Sequence, residues 1–228
     1  MKVIGVGQDG NVAFDGVLDH GVDPGVLAHD RGFVVLRPID VARGGDSGLV
    51  LRLDVRPLSG EPRPAVRPRG RDPGLVLTGG RSPIVRQRLA CYAVVLSAEG
   101  LLATEFSNRT AITGRWGIPG GGLDDHEQPE AAVRREVMEE TSQTISLGEL
   151  TKVHSSRWIG RNPRGEVEDF HAVRLIYRAC CEVPTDPIVL DSDGTTRSAR
   201  WVSLSDWQSL HWTQNWRDVL SELLAPNS

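Results

Sequence analysis

The chain has 228 residues, of which 39% are aliphatic, aromatic or Cys and 25% are charged, with a net charge of -4. That length suits one to two domains at roughly 150 residues each; the apolar share excludes disorder over most of the chain, and the near balance of charge leaves no footprint of a general nucleic-acid binder. No stretch approaches the roughly 20 apolar residues of a membrane span, the start MKVIGVGQDG lacks a secretory apolar region, and Cys91, Cys180 and Cys181 make a poor disulfide framework, so a cytoplasmic protein without membrane or nucleic-acid partners is expected.

Residues 1–57 read as short β segments at Val3–Val6, Gly32–Leu36 and Leu49–Val55, separated by the turn sequences QDGN, DPG and GGDSG. No helical period is visible there, and a small β-rich module of unassigned role is expected, which is also where a homodimer contact would fall. Residues 58–87 change character. Pro and Gly interrupt any period, and eight Arg between positions 56 and 88 face only Glu61 and Asp72. This predicts an extended linker, with a short strand at Leu75–Leu77.

From residue 88 onward the patterns strengthen. Cys91–Leu96 reads as a buried strand, and Glu99-Gly100 turns it into Leu101–Glu105. A Gly-rich loop covers Gly114–Gly122, and Pro129–Thr141 has the content of a helix. Strands are expected near Leu150–Trp158 and Phe170–Cys181, separated by the polar loop GRNPRGEVED, and a short one at Arg200–Leu204. The sequence SDW then opens a helical tail running to about Leu224, where Trp201, Trp207, Trp212 and Trp216 would anchor it. Strands, loop, helix, strands, helix in that order predict an α+β fold rather than repeated βαβ units.

The chemistry is concentrated in GIPGGGLDDHEQPEAAVRREVMEETSQ, residues 117–143. At about 100° per helical residue, Glu136, Glu139 and Glu140 share about 100° of one face. Like charges three and four residues apart repel by a few tenths of a kcal/mol per pair, so the strip asks for a cation. Carboxylate oxygens are the hard ligands that Mg²⁺ prefers, usually in company with substrate phosphates. Val133, Val137 and Thr141 adjoin the strip and can pack, while Arg135 flanks it on the other side. Gly120, Gly121 and Gly122 allow the backbone to approach a ligand closely.

Gly121, Glu127, Arg135, Glu136, Val137, Glu139 and Glu140 reproduce the spacing of the Nudix signature. The segment therefore resembles the Nudix hydrolase family, and the likeness extends over roughly residues 88–224. Two positions depart from it: Ser142 replaces a Gly, where a left-handed residue should end the helix, and Gln143 replaces an apolar residue, whose contact Ile145 could partly supply. The resemblance implies an α/β/α sandwich of mixed sheet and helices over residues 88–228. It also implies a divalent metal, Mg²⁺ or Mn²⁺, held by Glu136, Glu139, Glu140 and the Gly120 carbonyl. Glu127 would support the site, and Arg135 would orient a Glu by ion pairing. The implied activity is cleavage of a nucleoside diphosphate linked to another group, by water attack on phosphorus. Loop carboxylates at Glu166, Glu168 and Asp169 are candidate bases.

On the substrate side, Arg115 and Trp116 could clamp or stack on a nucleotide, and Arg157 and Arg161 could meet phosphate. A core-capping Trp and solvated arginines are the ordinary alternatives. The altered end of the signature and the unassigned first 87 residues also leave room for a nucleotide-binding module without turnover. No Ser-His-Asp order or nucleophile elbow competes with either reading.

Overall fold

The computed structural model describes residues 1–44, 48–65, 70–72, 74–75, 82–110, 112–162, 165–191 and 194–225. Two compact units are present: Met1–Ala90 with Gly122–Pro129 and Leu150–Ile176, and Cys91–Gly121 with Glu130–Glu149 and Tyr177–Ser228.

The first unit opens with a sheet of order β2-β1-β4-β3, built from β1 (Lys2–Val6), β2 (Val12–Val17), β3 (Phe33–Arg43) and β4 (Leu49–Pro57). β1 pairs β2 and β3 pairs β4 antiparallel, whereas β1 and β4 run parallel. Alternation along β4 buries Leu49, Leu51, Leu53 and Val55 and leaves Arg52 exposed, as the period of two in a one-sided strand demands. Each such Leu stabilises the fold by about 1.5 to 3 kcal/mol. One expectation fails here. Residues 1–57 contain a helix, α1 (Pro24–Asp30), begun by Asp23, whose carboxylate accepts the Gly25 amide at 2.8 Å, with Pro24 in the first turn. The Asp-Pro-Gly sequence that signals a turn is here a helix start, and seven residues are too few to display a period.

The same unit holds β5 (Gly70–Arg71) and parts of three long strands, β6 (Ile84–Ser97), β10 (Ser146–Arg161) and β11 (Val167–Cys180), in the order β6-β11-β10-β5. β5 pairs β10 in parallel. The strand expected at Leu75–Leu77 is absent at Leu75, and residues 76–77 lie outside the described residues. The polar loop expected at residues 160–169 is shorter than its sequence suggests, because β10 and β11 extend into both of its ends.

In the second unit β6 turns into β7 (Gly100–Phe106) at Glu99-Gly100, as expected, and β7 pairs β12 (Thr196–Val202) and β8 (Trp116–Gly117). β9 is the glycine run Gly120–Gly122, and α2 spans Pro129–Thr141. Ala132, Val133, Val137 and Thr141 of α2 are fully buried. The tail divides: a 3-10 turn at Trp207–Ser209 precedes α3 (Gln214–Leu223), whose start is capped by Thr213. Trp216 anchors α3 against Tyr92, their ring centroids 4.7 Å apart. The fold class is α+β with mixed strand pairing, as expected, preceded by a β-rich N-terminal sheet.

Candidate functional site

Helix α2 buries one face, and that leaves the acidic strip beside it half-exposed. Arg135 Nη1 donates to Glu136 Oε1 at 3.0 Å and to Glu139 Oε2 at 3.1 Å. One guanidinium thereby ties two of the three carboxylates. Glu140, only 9% exposed, turns inward. Its Oε2 accepts the Gly120 amide at 2.9 Å, and its Oε1 accepts the hydroxyl of Thr196. Burial pushes the Glu140 carboxyl up to about 7. The hydrogen bonds from Thr196 and Gly120 oppose that rise by favouring the charged form, while the neighbouring Glu136 and Glu139 charges add to it.

The glycine run is required sterically at two points. Gly120 has φ +140°, and a Cβ there would collide with the Cys91 carbonyl. A Cβ on Gly121 would lie 2.5 Å from Glu136 Oε1. Only a residue without a side chain lets the carboxylate close on the loop.

No three His, Cys, Asp or Glu side chains form a ready-made metal cage among the described residues. The donor set nevertheless fits a hard dication. Glu136, Glu139 and Glu140 offer only oxygens, and the protein hydrogen bonds named for each leave further lone pairs, since a carboxylate has about four acceptor positions.

Glu127 lies in the first unit, in a turn where Asp124 N donates to its Oε2 at 3.1 Å and its own amide returns to the Asp124 carbonyl. The N-terminal sheet reaches this turn. Arg43 Nε donates to the Glu127 carbonyl at 3.1 Å, and the Arg43 amide donates to Gln128 Oε1 at 3.0 Å. Of the candidate bases, Glu168 is buried and paired with Arg86 at 2.6 Å. Asp169 accepts both arms of Arg157, at 2.8 and 2.6 Å, and lies 3.1 Å from His20 Nε2. Glu166 sits in an exposed turn held by Asn162. The guanidinium of Arg157 is thus committed to Asp169, and Arg161 donates to the Gly165 carbonyl.

Next to this pair lies His171, fully buried. Its Nδ1 accepts the Gly21 amide at 3.0 Å, which places the ring proton on Nε2, 2.9 Å from Ser155 Oγ. The ring donates to Ser155 and cannot act as its base. Burial drives the imidazole down to about 4, and the His20 and Arg157 charges push the same way.

In the second unit Arg115 is exposed, and Trp116 is half-buried with Arg200 stacked 4.7 Å from its ring centre. A surface cavity of about 500 Å³ is lined by Ser107, Asn108, Arg109, Thr113, Thr196 and Arg197.

Two further residues carry the site's geometry. Thr196 gave no sequence signal, standing far from the signature in the chain. Gln143, read as a lost apolar contact, is 2% exposed and fully engaged: its amide nitrogen donates to the Thr141 carbonyl and Thr185 Oγ1, and its oxygen accepts the Thr185 amide. Ser142 adopts φ +57°, the left-handed conformation that its place in the signature requires.

An acidic helix face tied to a glycine loop, within this order of strands, defines a class. Residues 86–223 match the NUDIX domain family model, more than half of the chain, and the chain belongs to the Nudix family as a Nudix-type hydrolase. It is 35% identical over 101 residues to the nucleoside triphosphatase NudI of Salmonella agona, covering 41% of this chain and 68% of that protein. NudI of Escherichia coli K12 gives 35% over 96 residues with the same coverage. Among solved structures, a Nudix hydrolase from Nitrosomonas europaea is 25% identical with a TM-score of 0.47, over 61% of this chain and 90% of that one. Among the described residues no helix is long and apolar enough to cross a membrane.

Proposed function

We propose that this chain is a divalent-metal-dependent pyrophosphohydrolase, using Mg²⁺ or Mn²⁺, that cleaves a nucleoside diphosphate linked to another group by water attack on phosphorus. The observation that carries this reading is the convergence of Glu136, Glu139 and Glu140 on one helix face, braced by Arg135 and tied to the Gly120 amide. Those three carboxylates and the Gly120 carbonyl would hold the metal. Held there, a dication would supply neutralisation of phosphate charge, stabilisation of the leaving oxygen and a lowered pKa for an attacking water.

The residues of the chain do the positioning. Arg135 keeps Glu136 and Glu139 in fixed orientation, and the Gly120 and Thr196 donors fix Glu140. The cavity that shares Thr196 with this cluster also presents Arg109 and Arg197, whose guanidinium forks suit phosphate oxygens. Arg115 and Trp116 would add to the substrate's surroundings, while Arg157, engaged by Asp169, would serve mainly to hold its own strands. The likeness to proteins named nucleoside triphosphatase puts nucleoside triphosphates first among substrates. Three free cysteines suit a reducing cytoplasm.

The test is hydrolysis of a panel (nucleoside triphosphates, ADP-ribose, dinucleoside polyphosphates, nucleotide sugars) with Mg²⁺ or Mn²⁺. Turnover should require the metal and fall about a thousandfold or more in Glu140→Gln, the loss of several kcal/mol of transition-state stabilisation. Wild-type rates in that variant would contradict the assignment.

A further inference from the structure

The last turn of α2 ends among carbonyls that need donors, and one segment supplies them. The amides of Leu190 and Asp191 donate to the Glu139 carbonyl at 2.7 and 3.2 Å, and the Ile188 amide donates to the Thr141 carbonyl at 3.2 Å and to Ser142 Oγ at 3.2 Å. Gln143 anchors the beginning of the same segment through both backbone and hydroxyl of Thr185, with Cys181 Sγ 3.7 Å from its oxygen. The two departures from the signature, Ser142 and Gln143, thus join the Glu139 and Thr141 carbonyls in fastening residues 181–191 to the end of the helix. Beyond this strap the chain enters β12 at Thr196, which is 6% exposed, and the Thr196 hydroxyl meets Glu140 Oε1.

From this arrangement we propose that Thr196 is a positioning residue for the acidic strip. It holds the Glu140 carboxylate, together with the Gly120 amide, in the orientation that a dication requires, and the strap fastened at Ser142 and Gln143 delivers it. The proposal rests on the metal-dependent reading above. The physical argument is one of preorganisation. Glu140 stands beside two further carboxylates and would be driven away from them by repulsion. Two donors, one on each oxygen, hold it in place at the cost of only one lone pair per oxygen. Partners of this kind, which hold a ligand without touching the metal, typically change metal affinity or activity by about 10- to 100-fold when removed.

The experiment compares Thr196→Val, which keeps shape and loses the hydroxyl, with Thr196→Ser, which keeps the hydroxyl. Mn²⁺ binding to the full chain is measured by titration calorimetry and electron paramagnetic resonance, alongside the Mg²⁺ dependence of nucleoside triphosphate hydrolysis and the thermal midpoint. Thr196→Val should weaken Mn²⁺ about 10-fold or more and raise the Mg²⁺ requirement in parallel, while Thr196→Ser stays within about twofold of wild type. Should Thr196→Val not fold, Thr196→Ala, which demands no added space, carries the same expectation. Wild-type Mn²⁺ affinity in a folded variant without the hydroxyl overturns the proposal and leaves the metal-dependent reading standing. A wild-type chain that neither binds Mn²⁺ nor hydrolyses any substrate overturns that reading, and this proposal with it.

Discussion

Glu140 and His171 are both withdrawn from water, and burial drives each toward its neutral form, the carboxyl up to about 7 and the imidazole down to about 4. Their surroundings differ in kind. His171 has a partner on each ring nitrogen, and the Asp169 beside it is closed by Arg157 and His20. The Asp169 carboxylate meets Arg157 and His20 within the chain, and His20 Nδ1 is the one buried ring atom of this group without a partner among the described residues. Around Glu140 the carboxylates crowd together: Arg135 ties Glu136 and Glu139, while Glu140 is held by the Gly120 amide and the Thr196 hydroxyl. The first region is a joint of paired groups, whereas in the second three carboxylates crowd one helix face, where the proposed metal would sit. Perturbed titration therefore marks a candidate functional site only in company with such geometry.

That contrast can be broken by substitution. Beyond the loss of turnover in Glu140→Gln, the largest expected effect is on stability in Asp169→Asn: about 2 to 3 kcal/mol in denaturant unfolding, because Arg157 loses its partner in a part-buried setting. Mn²⁺ affinity should be unchanged, and a variant that loses turnover without losing stability would move Asp169 from the joint to the chemistry. Gln143→Leu, which restores the apolar residue of the family signature, should cost about 1 to 2 kcal/mol by orphaning the Thr185 amide. An increase in thermal midpoint would show the polar anchor to be dispensable.

The smallest expected effect is a pH slope. The folded pKa of His171, about 4, lies below its ordinary 6.5. The unfolded chain therefore binds the proton first. The stability contributed by the neutral ring is complete above about pH 6.5 and is lost as pH falls toward 4. Unfolding midpoints between pH 7 and pH 4 should decline more steeply in wild type than in His171→Gln, and parallel profiles would contradict the buried neutral ring.

Local signals made α2 legible. Its charges repeat at helical spacing, and the structure places it at Pro129–Thr141 with Ser142 left-handed at its end, both as read from sequence. The β6–β7 hairpin was equally plain, because a buried apolar run met a Glu-Gly turn. What escaped depends on distance along the chain. The bond from Thr196 to Glu140 joins residues 56 apart, and no period or spacing reports such a pair. Gln143 looked like a defect because its partners, Thr185 and Cys181, arrive from another strand's end. Helix α1 was hidden by its brevity, and Arg157 looked available for phosphate because its claimant, Asp169, lies across the strand pair.

The tie from Arg43 to Glu127 and Gln128 bears on how this protein can be trimmed. It spans 84 and 85 positions of chain and fastens the edge strand of the first sheet to the turn that leads into the signature helix. A shortened polypeptide beginning at residue 86 would retain every letter of the signature and forfeit both of these restraints. Amide exchange in residues 124–128 should then quicken, for the opening part of the motif is held by residues that the motif itself does not contain.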